Sequence, residues 1–338
     1  MPQHTDELRV LLCRLEDAIL ETVLEAQAGA TRGQLSAIAA ETKADTIFQI
    51  DKIVEGTVVD WMSRHWPSSA PVELVMEGID DEALVFPAGF RVSDTKWKCI
   101  VDPIDGTRSW MHDKRSAWSL AAVAPQRGPE TRLSDIVVAA MTELPVTKQW
   151  RADQLSAVRG EEVIAEAIDV RGGGRSGWRP VPAEAVDFRQ GFAGVSKFFP
   201  QGKALLADLE EAFWAELHGT EPQAAPLVFD DQYVSTGGQL YELCSGRDRM
   251  WVDLRPQAFR KLGLSVSLTC HPYDICTAMI LTELGGVVET PEGESLDAPL
   301  DTTSPISWVG YANSTLAALA RPVLQRLVAE RLAASGAR

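Results

Sequence analysis

The chain has 338 residues, 45% of them hydrophobic and 24% charged, with a formal net charge of −16 and a pI near 4.8. That length and composition suit a substantial core, in one large domain or two closely packed ones, and the acidic balance argues against a nucleic-acid polymer or an anionic membrane surface as partner. Five scattered cysteines without a C-x-x-C pair and five histidines without ligand spacing argue against a disulfide framework or a structural zinc site. No apolar run approaches the ~20 residues that span a bilayer, and the first residues lack a signal-peptide pattern, so a soluble, cytoplasmic protein is expected.

Leu8, Leu11, Leu12, Leu15, Ile19, Leu20 and Val23 recur at helical spacing behind Thr5 and Asp6, and predict an opening helix with a core-facing stripe. A second helix is predicted from near Asp51 to Trp66, stopped by Pro67, followed by short strands at 72–76 and 98–101. Residues 119–124 and 136–141 read as further strands, the first turning at Gln126-Arg127-Gly128-Pro129 like a hairpin. Composition shifts after Arg159, which divides the chain into an N-terminal α+β subdomain over 1–160 and a C-terminal α/β subdomain over 161–338. The glycine- and arginine-rich stretch 171–180 reads as a surface loop; it lacks the G-x-x-x-x-G-K-[ST] order of a phosphate cradle. A helix is predicted at 201–217, ordered elements at 234–243 and 249–254, and a last helix over 273–286 stopped by Gly285-Gly286. Strands interleaved with helices imply a layered α/β or α+β fold.

The densest chemistry is Asp102-Pro103-Ile104-Asp105-Gly106-Thr107, directly after the apolar run Trp97, Cys99, Ile100 and Val101. Two carboxylates thus sit where a buried strand ends and the chain turns. Pro103 limits the backbone between them, Gly106 permits a sharp bend or a close ligand, and Thr107 adds a hydroxyl and an N–H. Such a turn can hold hard cations against a phosphate. Magnesium takes oxygen donors in octahedral geometry, and three more carboxylates qualify by placement: Asp51 near the start of the second helix, Glu77 ending strand 72–76, and Asp274 opening the last helix. Singly, each has a plainer reading. Asp274 is then a helix cap, Asp51 a surface acid in a first helical turn, Glu77 part of a solvated run with Asp80, Asp81 and Glu82, and Asp102 and Asp105 turn formers. The ordered set points to metal chemistry.

Val101 to Thr107 resembles the signature of the inositol monophosphatase superfamily, which are magnesium-dependent, lithium-sensitive phosphomonoesterases. Asp45 to Asp51, behind Lys43, resembles that family's first motif, and Leu74-Val75-Met76-Glu77 its strand-ending glutamate. Val137 to Pro145 with Leu155 to Gly160 resembles the segment leaving its first subdomain, and His271-Pro272-Tyr273-Asp274 with Thr277, Ala278 and Glu283 to Gly286 its closing helix motif. The resemblance implies an α+β, five-layered αβαβα sandwich of the inositol monophosphatase and fructose-1,6-bisphosphatase type. It implies two or three Mg2+ ions held by Glu77, Asp102, Asp105, Asp274 and the carbonyl of Ile104. Thr107 and Glu77 would orient a metal-activated water with Asp51 hydrogen-bonded behind Thr107, while Asp105, Gly106 and Thr107 would meet the substrate. Asp253 resembles the family's acid that binds a substrate hydroxyl, with Gly237-Gly238 as a small-residue turn nearby. The chain departs from the pattern at Gly78, where a second glutamate often stands, at Tyr273 for a tryptophan, and at Phe48 and Ile50 for threonines.

Arg108, Lys114 and Arg115 are further candidate substrate contacts; Lys114 and Arg115 either receive a second phosphate or pair with Asp113 and neighbouring acids. The expected partner is a small phosphorylated metabolite. Inositol or sugar phosphate ranks first, with 3′,5′-bisphosphate nucleotidase or fructose-1,6-bisphosphatase activity as alternatives. A non-catalytic regulator that binds a metal or phosphometabolite is the rival from another class, and the water-activating pair Thr107 and Glu77 argues against it. A nuclease is disfavoured by the acidic charge. Extra sequence around 171–190, 218–230 and 255–270 reads as surface loops or as walls of a pocket or interface, and family analogy implies a homodimer.

Overall fold

The structure, a computed structural model, describes residues 2–29, 33, 38–41, 46–219 and 227–332. Lys43 and Asp45, and residues 220–226 of one extra segment, lie outside these. Helix α1 (Pro2–Gly29), the ribbon β1 (Ile38–Glu41) and β2 (Thr46–Phe48), and helix α2 (Gln49–His65) come first. A sheet follows, built from β3 (Val72–Met76), β4 (Ile79–Phe86), β5 (Trp97–Asp105), β6 (Ala117–Pro125), β7 (Val138–Leu144), β8 (Arg151–Val158), β9 (Ile164–Asp169) and β10 (Arg175–Trp178), with the single helical turn α3 (Thr107–Met111) between β5 and β6. Its spatial order is β10-β9-β8-β7-β6-β5-β3-β4, antiparallel except for the β3–β5 pair.

The second sheet contains β11 (Gly191–Val195), β12 (Val228–Phe229), β13 (Asp248–Asp253), β14 (Val287–Glu289) and β15 (Trp308–Tyr311), in the order β12-β11-β13-β15-β14. Its helices are α4 (Lys203–His218), α5 (Thr236–Cys244), α6 (Arg255–Lys261), α7 (Pro272–Ile275), α8 (Ala278–Glu283) and α9 (Ser314–Leu332). Helices α1 and α2 cover one face of the first sheet, α5, α7 and α8 lie between the sheets, and α4 and α9 cover the far face of the second. The result is the expected αβαβα layering.

Strands β6 and β7 carry no polar alternation because both of their faces are covered. On β6, Trp118, Leu120, Ala122 and Ala124 point into the core shared with the second sheet, whereas Ala117, Ala121 and Val123 point into the core under α1 and α2. The small side chains let helices approach closely on both sides. Among the described residues no helix is long and apolar enough to cross a membrane.

Several expectations are corrected. The division at residue 160 falls inside the first sheet, since β9 and β10 continue it; the change of sheet comes between Trp178 and Gly191. The stretch 171–180 is not all loop: the Asp169 carboxylate accepts the N–H groups of Arg171 and Gly172, each at 2.9 Å, and the tight turn returns the chain as β10. The single helix expected over 273–286 is two, because Thr277 (φ −93°, ψ 5°) leaves helical geometry; both pieces bury apolar residues, so the pattern ran across the break. Helix α9 went unread, as Pro322 lies inside it and mimics a stop, although Leu316, Ala320, Leu324, Leu327 and Val328 form a buried stripe.

Candidate metal centre and active site

Residues three apart on a regular strand point to opposite faces, so Asp102 and Asp105 on β5 would normally diverge. The register against β6 shifts between them: Asp102 pairs with Leu120 and Asp105 with Trp118, so three steps on one strand match two on the other. This bulge brings both carboxylates to one side. Pro103, without an N–H, sits inside the irregularity, where its lack of a donor is harmless, and the Ile104 N–H turns inward to the Asp102 carboxylate at 3.1 Å. Carboxylate oxygens of Asp102, Asp105 and Asp274 all lie within 4.8 Å of one another.

Each acid is tethered by a different element. Glu77 follows β3, its N–H bonded to the Val101 carbonyl at 3.3 Å, which sets its carboxylate beside Asp102. Asp105 accepts the Ser235 hydroxyl at 2.8 Å and the Gly237 N–H at 2.6 Å, both from the start of α5. Asp274 accepts the His271 N–H at 2.6 Å, so it caps α7 while another part of its carboxylate faces the cluster. Cap and metal ligand are therefore compatible roles.

Thr107 opens α3 just after Gly106, whose φ of 98° lies in the left-handed region; a Cβ there would also meet the Val234 carbonyl at 3.1 Å. The Thr107 hydroxyl lies 3.0 Å from the Asp51 carboxylate and 2.8 Å from the Ile104 carbonyl, and can donate to either. Asp51 is itself fixed by the Phe48 N–H at 2.7 Å. One cavity of about 140 Å³ gathers Asp51, Glu77, Asp102, Ile104, Asp105, Gly106, Thr107, Arg108 and Asp274.

Burial, then the charges of Glu77, Asp105 and Asp274, push the Asp102 carboxyl well above its ordinary range. Burial and the Asp105 charge do the same to Asp274. Asp105 is raised by burial to about 6, held down by the Gly237 N–H and the Ser235 hydroxyl. So many desolvated carboxylates repel one another unless a cation joins them, and an all-oxygen donor set suits a hard ion such as Mg2+. The residues present fit that ion.

No family model matches the chain, and no curated protein matches it. Solved structures do. The extragenic suppressor protein suhB of Bartonella henselae superposes with a TM-score of 0.64 at 15% identity, over 95% of this chain and 98% of that one. Leishmania major fructose-1,6-bisphosphatase gives 0.66 at 14% identity, over 97% and 95%, and the IMPase of Thermotoga maritima 0.61 at 16% identity, over 96% and 99%. The chain shares the fold of these inositol monophosphatase-type and fructose-1,6-bisphosphatase structures. At these identities the likeness is one of fold, and residue roles rest on the geometry above.

Within this fold three sequence candidates fall outside the cavity. Asp253 ends β13 fully buried, and Arg255 occupies both of its oxygens: the Arg255 N–H and Nε reach Oδ1 at 3.0 and 2.9 Å, and Nη2 reaches Oδ2 at 2.5 Å. It is not open to a substrate hydroxyl. Arg115 pairs with Asp231 and Glu242, each at 3.0 Å, and lies 3.7 Å over the Tyr233 ring. With Lys114 it lines a separate cleft, so for Arg115 pairing wins over a second phosphate subsite, though with these distant acids and not with Asp113, which binds Thr147. Gly237 and Gly238 are not a turn: both lie in α5, where a Cβ on Gly237 would meet Leu120 at 2.6 Å and one on Gly238 the Tyr233 ring at 2.3 Å.

The sequence reading also missed groups. Glu55, one helical turn after Asp51 on α2, lines the cavity, and a Cβ on Gly78 (φ 83°) would meet its Oε1 at 2.4 Å. The i, i+4 spacing from Asp51 was the available signal. Phe198, Phe199, Ser235, Arg255 and Leu268 also line the cavity; they come from loops and segment ends that carry no local signature.

Proposed function

We propose that the protein is a Mg2+-dependent phosphomonoesterase that hydrolyses a small phosphate ester with an activated water and forms no covalent phospho-enzyme. The observation that carries this is the meeting, in one cavity, of the clustered Asp102, Asp105 and Asp274 carboxylates with the Thr107–Asp51 hydrogen bond. Glu77, Asp102, Asp105, Asp274 and the Ile104 carbonyl would hold two or three ions. Bound magnesium supplies Lewis acidity toward the attacking water and the leaving oxygen.

The chain's own groups handle the proton. Thr107 has one hydroxyl hydrogen and two acceptors in reach. When it donates to Asp51, its lone pairs face outward and accept a hydrogen from the water, which with Glu77 fixes the water's orientation. The proton passes to the Thr107 oxygen as Thr107 releases its own to Asp51, so the Asp51 carboxylate is the terminal base. Backbone N–H groups at Gly106 and Thr107 take phosphate oxygens, and Asp105, placed by Ser235 and Gly237, stands beside them. A pure binder has no use for the Thr107–Asp51 relay.

Purified protein offered a panel of phosphate esters with Mg2+ or with EDTA tests the reading by released phosphate. Mg2+-dependent release from at least one ester is expected. Tight metabolite binding with no release from any ester would instead establish the regulator.

A further inference from the structure

The cavity that holds the acids is also walled by apolar and aromatic groups that the phosphate chemistry does not use. Phe198 and Phe199, at the loop after β11, both line it and are only half-buried. Their rings stand edge to face, 5.0 Å apart at 61°, an arrangement that fixes both orientations. The Arg255 guanidinium lies 4.5 Å from the Phe198 centroid and 5.7 Å from that of Phe199. Arg255 is itself immobilised by Asp253 and by the Leu268 carbonyl at 3.2 Å. This is a rigid platform of two rings and a planar cation, and its charge reaches Asp105 and Asp274.

Recognition of a polyol requires fixed acceptors for several hydroxyls, because an unpaired buried hydroxyl is costly. The acid placed to serve that purpose, Asp253, is shut behind Arg255. Beside the hydroxyl side chains of Ser267, Thr269 and Thr302, the wall offers π surface and a stacked guanidinium, which favour a flat unsaturated ring.

We propose that the alcohol part of the substrate carries an aromatic or heteroaromatic ring that packs on Phe198 and Phe199 beside Arg255, so that ring-bearing phosphate esters are preferred to ring-free sugar and polyol phosphates. This rests on the reading of the cavity as a phosphomonoesterase site. The bond cleaved is the ordinary phosphate ester bond, with water as nucleophile and the ring-bearing alcohol as leaving group.

The test compares adenosine 5′-monophosphate with ribose 5-phosphate, which carries a hydroxyl where the nucleotide carries its base, and adds benzyl phosphate and inositol 1-phosphate, all with Mg2+. The expected result is a kcat/KM at least about tenfold higher for adenosine 5′-monophosphate or benzyl phosphate than for ribose 5-phosphate, carried by KM. Which of the two leads tells a nucleoside from a simple aryl group. Phe198→Ala should erase the preference and the ring-retaining Phe198→Tyr should keep it, which separates packing from misfolding. Equal or better use of ribose 5-phosphate or inositol 1-phosphate overturns the ring proposal while leaving the phosphatase reading intact. Release from none of the four, with calorimetry showing no tighter binding of adenosine 5′-monophosphate than of ribose 5-phosphate, overturns both.

Discussion

At Thr107 a single hydrogen is offered to Asp51 and to the Ile104 carbonyl, and in the proposed reaction the choice between them decides whether the oxygen can take a proton from water. Thr107→Ala removes the relay without touching a carboxylate, so kcat should fall by about 10²–10⁴-fold while Mg2+ affinity stays near wild type. Thr107→Ser should recover most of the rate. A parallel loss of Mg2+ affinity would show that Thr107 is structural. Gly78 is a second residue where a small change has a large effect. Its φ of 83° and the Glu55 oxygen 2.4 Å from any Cβ mean that Gly78→Ala meets strain and collision together. About 1–3 kcal/mol of stability should be lost, read by denaturant unfolding, and a neutral result would show that Glu55 moves freely. Glu55 is bonded to Lys52 at 2.6 Å, so it is held rather than loose.

Among the elements, α5 has the tightest tolerances. Replacing glycine by alanine inside a helix ordinarily stabilises by about 0.8–1 kcal/mol. At Gly237 the opposite is expected, since the new methyl would meet Leu120 at 2.6 Å and pry α5, with the N–H that holds Asp105, away from β6. Gly237→Ala should therefore lower both Tm and Mg2+ affinity, and a raised Tm would contradict this account of α5. The same element shows where sequence reading stops. Periodicity and capping residues revealed α1, α2, β3, β5, β6 and β7, because each owes its form to residues next to it in the chain. The candidate metal ligands were legible since Asp102 to Thr107 is one continuous segment, and the resemblance supplied its partners. The bulge that aligns Asp102 with Asp105 and the placing of Phe198 and Phe199 on the cavity wall depend on which strand lies opposite or which loop folds over, and no local pattern records that. Arg115 misled for that reason, as its partners Asp231 and Glu242 are over a hundred residues away.

Over the whole molecule, the two sheets and their shared helical layer bring β3, β5, α2, α5 and α7 to one point, and the charge gathered there would link stability to a bound metal. Burial raises the Asp105 carboxyl to about 6 in the folded protein and pushes those of Asp102 and Asp274 well above their ordinary range, whereas unfolded aspartates release their protons at about 4. The metal-free native state thus binds more protons than the unfolded state, and these groups withdraw stability as pH rises from about 4 through 6 and beyond. A bound divalent cation cancels that penalty. The Tm difference between Mg2+-saturated and EDTA-treated protein should widen steadily as pH is raised over this range; a constant or shrinking difference would mean that the carboxylates do not share a cation.

Isothermal titration of Mg2+ into the wild type and Asp102→Asn at neutral pH tests the centre most directly. Asp102 is buried among Glu77, Asp105 and Asp274, and asparagine keeps its shape while removing its charge. The account predicts saturable binding to the wild type with proton release, at least tenfold weaker binding to Asp102→Asn, and an unchanged circular-dichroism spectrum. Equal Mg2+ binding by the two proteins, or none by the wild type, would contradict it.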